Sequence, residues 1–272
     1  HANASGSELP CGSFDAPCRD LTDALGQIGQ SGGVMLLAGD APFTSPLGPN
    51  GHVLTIDKDN VVVRPMTPDD SPVIDASGVR SALFLKAEHL TIYGLEIRGA
   101  RRNGLNINGL ENRSVTVRGC NIHSNGDSWD GEGDDFDNHG GVLLNNGTFD
   151  VLIEDNRIHD NVNTTGFRGS GVHINNAVAL VRNNVIERNG IGIFTNVDDG
   201  SALQRRLSIQ VDQVLSAGLV YAVWLPQEVL PGRCAFESWR YGLSITGPWR
   251  PPELGHGGSR RMNAFRCAGA RP

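Results

Sequence analysis

Between Val115 and Gly192, short runs of alternating apolar and polar residues return in a fixed arrangement. Ser114-Val-Thr-Val-Arg-Gly-Cys-Asn-Ile-His-Ser-Asn-Gly aligns with Asp150-Val-Leu-Ile-Glu-Asp-Asn-Arg-Ile-His-Asp-Asn, and both align with Leu180-Val-Arg-Asn-Asn-Val-Ile-Glu-Arg-Asn-Gly. The alignment puts Val117, Ile153 and Val181 in one column, and Ile122, Ile158 and Ile186 in a second. Ile92 and Ile97 supply an earlier copy. Apolar residues at period two turn one face of a short strand inward. After a turn of variable length each copy is followed by a further short apolar run, at Leu105–Ile107, Val142–Leu144, Val172–Ile174 and Ile191–Ile193. The pattern predicts coils of three strands each.

A repeat of roughly 20 to 25 residues with insertions confined to one turn is the signature of a solenoid. Leu95, Cys120, Asn156 and Asn184 share a column between two strands, and Asn108, Asn145 and Asn175 share another after the third. Asn tolerates a left-handed turn, and its amide can bond the coils above and below, which requires coils stacked directly on one another. These residues, with coils of the form V-x-I-x-x-N-x-I-x-x-N-G over about Val34 to Asp198, resemble the pectate-lyase-like right-handed parallel β-helix superfamily. The resemblance implies an all-β, right-handed, single-stranded parallel β-helix. For function it leaves lyases, hydrolases, epimerases and non-catalytic binding or structural proteins open.

The flanks differ from the repeats. Residues 1–33 form a lead-in: His1 to Pro17 is polar and turn-rich, expected to be irregular. Asp20 to Gln30 carries Leu21, Ala24, Leu25 and Ile28 at helical spacing behind a capping Asp20, which predicts a short helix covering the open end of the core. Residues 34–200 are read as the β-helix. Residues 201–272 carry 4 acidic and 9 basic side chains, against 26 and 14 in residues 1–200, and they show no Asn column. They read either as a small separate module, with Cys234 and Cys267 able to pair, or as translation from a shifted frame; the shifted frame predicts poor packing and no further coil. Cys11 and Cys18 flank a short loop and can close a disulfide. Cys120 reads as a buried core thiol.

The 35 glycines suit many tight turns, and the 6% aromatic content suits a core of stacked Val, Ile and Leu. A formal net charge of -7 argues against a nucleic-acid partner, and no apolar run is long enough to span a bilayer. Asn3, Asn112, Asn146 and Asn163 each begin a glycosylation sequon. A secreted or cell-surface monomer is expected.

Chemistry is expected where the coil lengthens. Gly126 to Gly140 and Val162 to Gly169 interrupt the same turn on consecutive coils, so they are neighbours in space. The first holds Asp127, Asp130, Glu132, Asp134, Asp135 and Asp137, hard oxygen ligands that suit calcium; a solvated acidic loop without an ion is the alternative. Arg98, Arg101 and Arg102 occupy the equivalent turn one coil earlier, and Arg168 one coil later. Guanidinium groups pair with the carboxylates of an acidic polysaccharide. Arg101, Arg102, Trp129 and Asn106 are the candidate substrate contacts, with Phe136 and Phe167 as further flat faces.

Lyases of the resembled superfamily neutralise a uronate carboxylate and remove the acidified proton on the neighbouring carbon. The candidate bases are His173, Arg168, Lys86 and His139. His173, between inward Val172 and Ile174, is expected to point outward beside both insertions. His123, His159 and Glu187 form another outward column with Arg98, readable as a solvated ladder. The preferred reading is a polysaccharide lyase acting by β-elimination. A non-catalytic carbohydrate-binding or surface β-helix, and a glycoside hydrolase or uronate epimerase, are the alternatives.

Overall fold

A computed structural model describes residues 1–7, 10–48, 50–109, 113–126, 139–145, 147–161, 169–175 and 177–196, with backbone alone at 195–196 and for strands at 208–209, 213–215, 221–225 and 244–245. Every strand pairing between successive coils is parallel, and the strands fall into three sheets. Sheet A runs from Ala2–Ser7 and Gly33–Leu37 through Arg113–Arg118, Phe149–Glu154 and Ala179–Arg182; sheet B from Val73–Asp75 through Asn121–His123, Arg157–His159 and Val185–Glu187; sheet C from His52–Ile56 through Ser81–Leu85, Asn103–Asn108, Gly140–Asn145, Ser170–Asn175 and Ile191–Asn196. One strand from each sheet makes a coil.

The inner columns follow the sequence pattern. Val63, Ile92, Val117, Ile153 and Val181 pair in succession on sheet A, and Ile74, Ile97, Ile122, Ile158 and Ile186 on sheet B. Leu54, Leu83, Leu105, Val142, Val172 and Ile193 do the same on sheet C, and all three columns belong to one buried core. Adjacent coils lie about 4.8 Å apart, so each branched side chain packs on its own kind above and below.

Two buried asparagine ladders hold the register. Asn184 Oδ1 accepts from the Asn156 backbone N–H and from Asn156 Nδ2, both at 3.0 Å, and Asn156 Oδ1 accepts from the Cys120 N–H at 2.9 Å. The second ladder, Asn125, Asn161 and Asn189, was not among the expected columns. Asn161 Oδ1 accepts from the Asn125 N–H at 3.1 Å and Asn125 Nδ2 at 3.0 Å, and Asn189 Oδ1 repeats this for Asn161. Its signal lay in the recurring I-H-x-N and I-E-x-N segments. The outer column Asn108, Asn145 and Asn175 is present too, with Asn175 Nδ2 donating to Asn145 Oδ1 at 2.8 Å.

The left-handed residue is not the ladder Asn, as the sequence reading supposed, but the one before it. Gly94, Gly119, Asp155 and Asn183 precede the first ladder column, and Gly99, Ser124, Asp160 and Arg188 the second, all with φ between 52° and 77°. The positive φ swings the chain through the corner, so the next amide points into the solenoid and meets the coil above.

Gly104, Gly141 and Gly171 line the corner beside the second ladder. A Cβ on Gly141 would lie 2.7 Å from the Gly171 carbonyl oxygen and 2.8 Å from Ile158 Cγ2. The corner admits only a bare backbone.

The ends also differ from expectation. Ala2–Ser7 is a strand on the edge of sheet A rather than an irregular lead-in, tied to the helix region by the Cys11–Cys18 disulfide. The helix spans Leu21–Gly26, capped by Asp20 Oδ1 accepting from the Thr22 N–H at 2.6 Å. Lys58 Nζ donates to the carbonyls of Leu25 and Ile28 at its other end. After residue 200 the backbone does not leave the solenoid at once: Ser208–Ile209, Gln213–Leu215 and Tyr221–Leu225 pair with sheets A, B and C. Cys234 and Cys267 lie outside the described residues.

On the outside of sheet B the coils are joined by charge. Arg98, His123, His159 and Glu187 stack in register, as the sequence suggested. The two imidazoles are parallel, with centroids 4.9 Å apart and planes 8° apart. Arg98 pairs with Glu96 at 3.0 Å and Asp75 at 3.3 Å, Arg157 with Glu187 at 2.7 Å, and Arg188 with Asp160 at 2.7 Å. Arg188 donates two hydrogen bonds to the Asp160 carboxylate, and His159 adds a third contact. Against the opposing effect of burial, these hold Asp160 down at about 2. Burial holds the His123 imidazole below its usual value, helped by the His159 charge and opposed by Glu96.

The ladder and the corner make separate predictions. Asn161→Ala strands the Asn125 backbone N–H, removes the side-chain donor to the Ile122 carbonyl and takes one of two donors from Asn189 Oδ1, and should cost about 3–5 kcal/mol in a denaturant melt. Gly141→Ala should cost about 1–3 kcal/mol through overpacking; a wild-type midpoint in either variant contradicts this reading. On sheet B, a depressed carboxylate stabilises the fold above its unfolded value near 3.9 and loses that contribution as pH falls through about 2. Arg188→Gln should move the Asp160 carboxyl titration, followed by NMR, toward about 3.9; an unmoved titration shows that Arg188 is not the cause.

Candidate functional site

Sheet C differs from sheet B on its outer face. Its outward column runs Thr55, Phe84, Asn106, Leu143, His173 and Phe194. The later members are covered: Asn106, Leu143 and His173 are 6%, 4% and 2% exposed. His173 does occupy the outward position its alternation implies, but it is closed in, with Leu143 on the coil before and the Phe194 ring edge-on at 4.7 Å on the coil after. The sequence reading had it facing solvent. A row of residues on an outer sheet face need not be a wet one.

The two insertions bracket this face. Asn125 bonds Asn161 at the start of both, and Gly140 pairs with Ser170 at their end, so they leave and re-enter the solenoid one coil apart, as expected. Asp127, Trp129, Asp130, Glu132, Asp134, Asp135, Phe136, Asp137, Phe167 and Arg168 lie outside the described residues. Among the described residues no group of three or more His, Cys, Asp or Glu is placed to hold a metal. His139, which closes the first insertion, is buried at the corner; its carbonyl accepts from the Ser170 N–H at 2.9 Å and from Ser170 Oγ.

The earlier coils of sheet C carry the cations. Lys86 is exposed just after the strand Ser81–Leu85, with its Nζ 5.5 Å from the Phe84 ring centroid. Arg101 and Arg102 are half-buried in the turn leading to Asn103–Asn108, and their backbone N–H groups donate to the carbonyls of Val79 and Arg80 one coil below. Asn106 follows Phe84 in the column, and its Oδ1 is buried with no hydrogen-bond partner among the described residues. Lys86, Arg101, Arg102 and Asn106 therefore share two successive coils. His173 is on the second coil after Asn106, roughly 10 Å away along the solenoid axis.

One member of this face was missed in the sequence. His52 opens the first strand of sheet C, and its ring lies 4.6 Å from that of Phe84 with the planes tilted by 32°. Burial pushes its imidazole below the usual value, and the charges of Arg80 and Lys86 push it the same way. Nothing in the repeat marks this residue, because the first coils of the chain carry the Asn pattern least clearly.

A family described as "Right handed beta helix region" matches residues 80–206. No curated protein matches the sequence. Among solved structures, the crystal structure of pectate lyase Pel9A is similar over 80% of this chain and 78% of that chain, at 12% identity and a TM-score of 0.41. The family match spans the coils in which both asparagine ladders and most of the inner columns lie. The chain folds as a right-handed parallel β-helix.

Proposed function

We propose that the protein recognises an acidic polysaccharide along the outer face of sheet C, with β-elimination as the chemistry this face is suited to host. The observation that carries the reading is that Lys86, Arg101 and Arg102 belong to the same two successive coils as Phe84 and Asn106, with Lys86 over the Phe84 ring. A polymer laid along a solenoid meets equivalent positions at each coil, and cations at those positions pair with its carboxylates. The buried Asn106 Oδ1 offers an acceptor to a sugar hydroxyl.

In β-elimination, a cation that neutralises the uronate carboxylate acidifies the proton on the adjoining carbon. A base takes that proton, the C–H electrons form the ring double bond, and the glycosidic oxygen leaves with its bonding pair and is protonated from solvent. Lys86 on the face, His173 farther along the column, and His139 and Arg168 at the turn remain the candidate acceptors. A calcium ion held by Asp127, Asp130, Glu132, Asp134, Asp135 and Asp137 belongs to the same proposal. Extracellular or cell-surface placement also follows from this reading, since such polymers lie outside the cell.

A second reading, a carbohydrate-binding β-helix without turnover, is favoured by one observation: His139 and His173 are 5% and 2% exposed, which leaves neither open to substrate. Incubation with pectate, alginate and glycosaminoglycans, with and without a chelator, separates the readings through the ultraviolet absorbance of unsaturated products. The lyase reading predicts absorbance with a polyuronate, lost on joint neutralisation of Asp134 and Asp135 if the acidic loop holds calcium. His173→Ala should lower turnover by about 10²-fold or more with binding kept, if His173 is the base. Binding without absorbance supports the second reading, and neither binding nor absorbance with any of these polymers contradicts both.

Arg101→Gln with Arg102→Gln should weaken binding of the preferred polymer by about tenfold or more, with a shallower salt dependence. Unchanged affinity in the double variant would place the contact surface elsewhere on the solenoid.

A further inference from the structure

We propose that the stacked imidazoles of His123 and His159 on sheet B form an acid-sensitive latch between two coils. The pair accommodates one proton but not two, and the second proton, arriving as pH falls, loosens the corner that carries the ladder of Asn125, Asn161 and Asn189. The latch is independent of what sheet C binds.

The two rings belong to paired positions on successive strands, with planes 8° apart and centroids 4.9 Å apart. Their side chains are 18% and 11% exposed, so water has limited access to the gap between them. Every ring nitrogen has a partner. His159 Nδ1 meets Asp160 Oδ2 at 2.6 Å, and its Nε2 meets Asn121 Oδ1 at 2.8 Å. His123 Nδ1 meets Ser124 Oγ at 3.0 Å, and its Nε2 meets Glu96 Oε1 at the longer distance of 3.4 Å.

The charge around the pair suits a single imidazolium. Asp75, Glu96 and Arg98 come from the coils before, Arg157 and Asp160 from the coil of His159, and Glu187 and Arg188 from the coil after. Among the described residues these are four carboxylates, Asp75, Glu96, Asp160 and Glu187, against three guanidiniums, Arg98, Arg157 and Arg188. One protonated ring balances them. A second leaves the cluster positive, and neither carboxylate beside the rings is free to meet it. Glu96 already accepts from Arg98 at 3.0 Å, and Asp160 accepts two bonds from Arg188, each at 2.7 Å. Two imidazolium rings stacked face to face in such a half-enclosed site repel one another, so the protons enter the pair in separate steps.

The corner feels this repulsion because it is the next link in both chains. Ser124 and Asp160, which meet the two Nδ1 atoms, are the left-handed residues of the corner, with φ of 55° and 54°. Asn125 and Asn161 follow them directly, and Asn161 Oδ1 accepts from both the Asn125 N–H and Asn125 Nδ2. Forcing the rings apart therefore pulls on the ladder where both insertions leave the solenoid. The first ladder, through Asn156 and Asn184, lies at the other end of the same short strands.

The linkage has a definite sign. Burial first, then the His159 charge and Arg98, hold the His123 imidazole below its usual value, with Glu96 opposing. A histidine depressed in this way contributes stability above its unfolded value of about 6.5 and loses it as pH falls through that value toward the folded one. One proton changes the opening equilibrium by at most about tenfold per pH unit.

The test is hydrogen exchange of the intact protein, followed by NMR between about pH 7 and 5. Protection factors, corrected for intrinsic exchange at each pH, should fall on acidification for the Asn125 and Asn161 amides by about tenfold more than for those of Cys120 and Asn156 on the first ladder. His123→Gln, which stays polar and cannot take the second proton, should remove that difference. His159→Gln should raise the pH at which the His123 Cε1–H resonance titrates, because the neighbouring charge is gone. Equal pH dependence at the two ladders in wild type overturns the latch. So does a difference that survives in His123→Gln, or a His123 titration unmoved in His159→Gln. Where a variant fails to fold, the wild-type comparison of the two ladders decides alone.

Discussion

The stacking of identical coils in exact register is the constraint on which the rest of this molecule depends, and the buried amides enforce it. A parallel strand stack bonded only through its backbone can slip by two residues and keep its apolar face inward. The ladders forbid this. Asn156 and Asn184 on one corner, with Asn125, Asn161 and Asn189 on the next, each bond a specific amide on the adjoining coil, and they are at most 3% exposed. A slip would bury those donors and acceptors without partners, at about 1–3 kcal/mol for each group. The glycine corner at Gly104, Gly141 and Gly171 reinforces the same register, because only one alignment puts a bare backbone beside the second ladder.

Given that register, the outer faces become periodic arrays, and sheets B and C use the periodicity differently. Sheet B closes on itself: its arginines meet carboxylates from neighbouring coils, and its imidazoles stack. Such pairs are largely exposed and individually weak, but they leave little unbalanced charge for a ligand. On sheet C Lys86 lies over the Phe84 ring, and Asn106, next in that column, buries an amide oxygen. The insertions leave and return at the edge of that same sheet. The proposed function follows from this asymmetry between two faces of one solenoid.

The fold was legible because the information is repeated. Val117, Ile153 and Val181 could be aligned by eye, and each copy checks the others. The second ladder was equally present, in the Asn three residues after Ile122, Ile158 and Ile186, but it was hidden by the variable outward residues between. The site was less legible for a physical reason. Alternation gives the direction of a side chain but not what covers it, so His173 read as an open base and is a closed-in one. His52 lies on the first coil of sheet C, where no repeat frames it, and its surroundings come from Arg80, Phe84 and Lys86 on the next coil. Sequence distance concealed a contact that parallel stacking makes inevitable.

The central claim is that sheet C recognises carboxylates on a polymer rather than the sugar backbone alone. The most direct test compares binding of a polyuronate with binding of the same chain after full methyl esterification, which keeps ring, linkage and length but removes the charge. The account predicts saturable binding of the acid form, weakened by salt, and loss of binding to the ester. Equal affinity for both forms would contradict it.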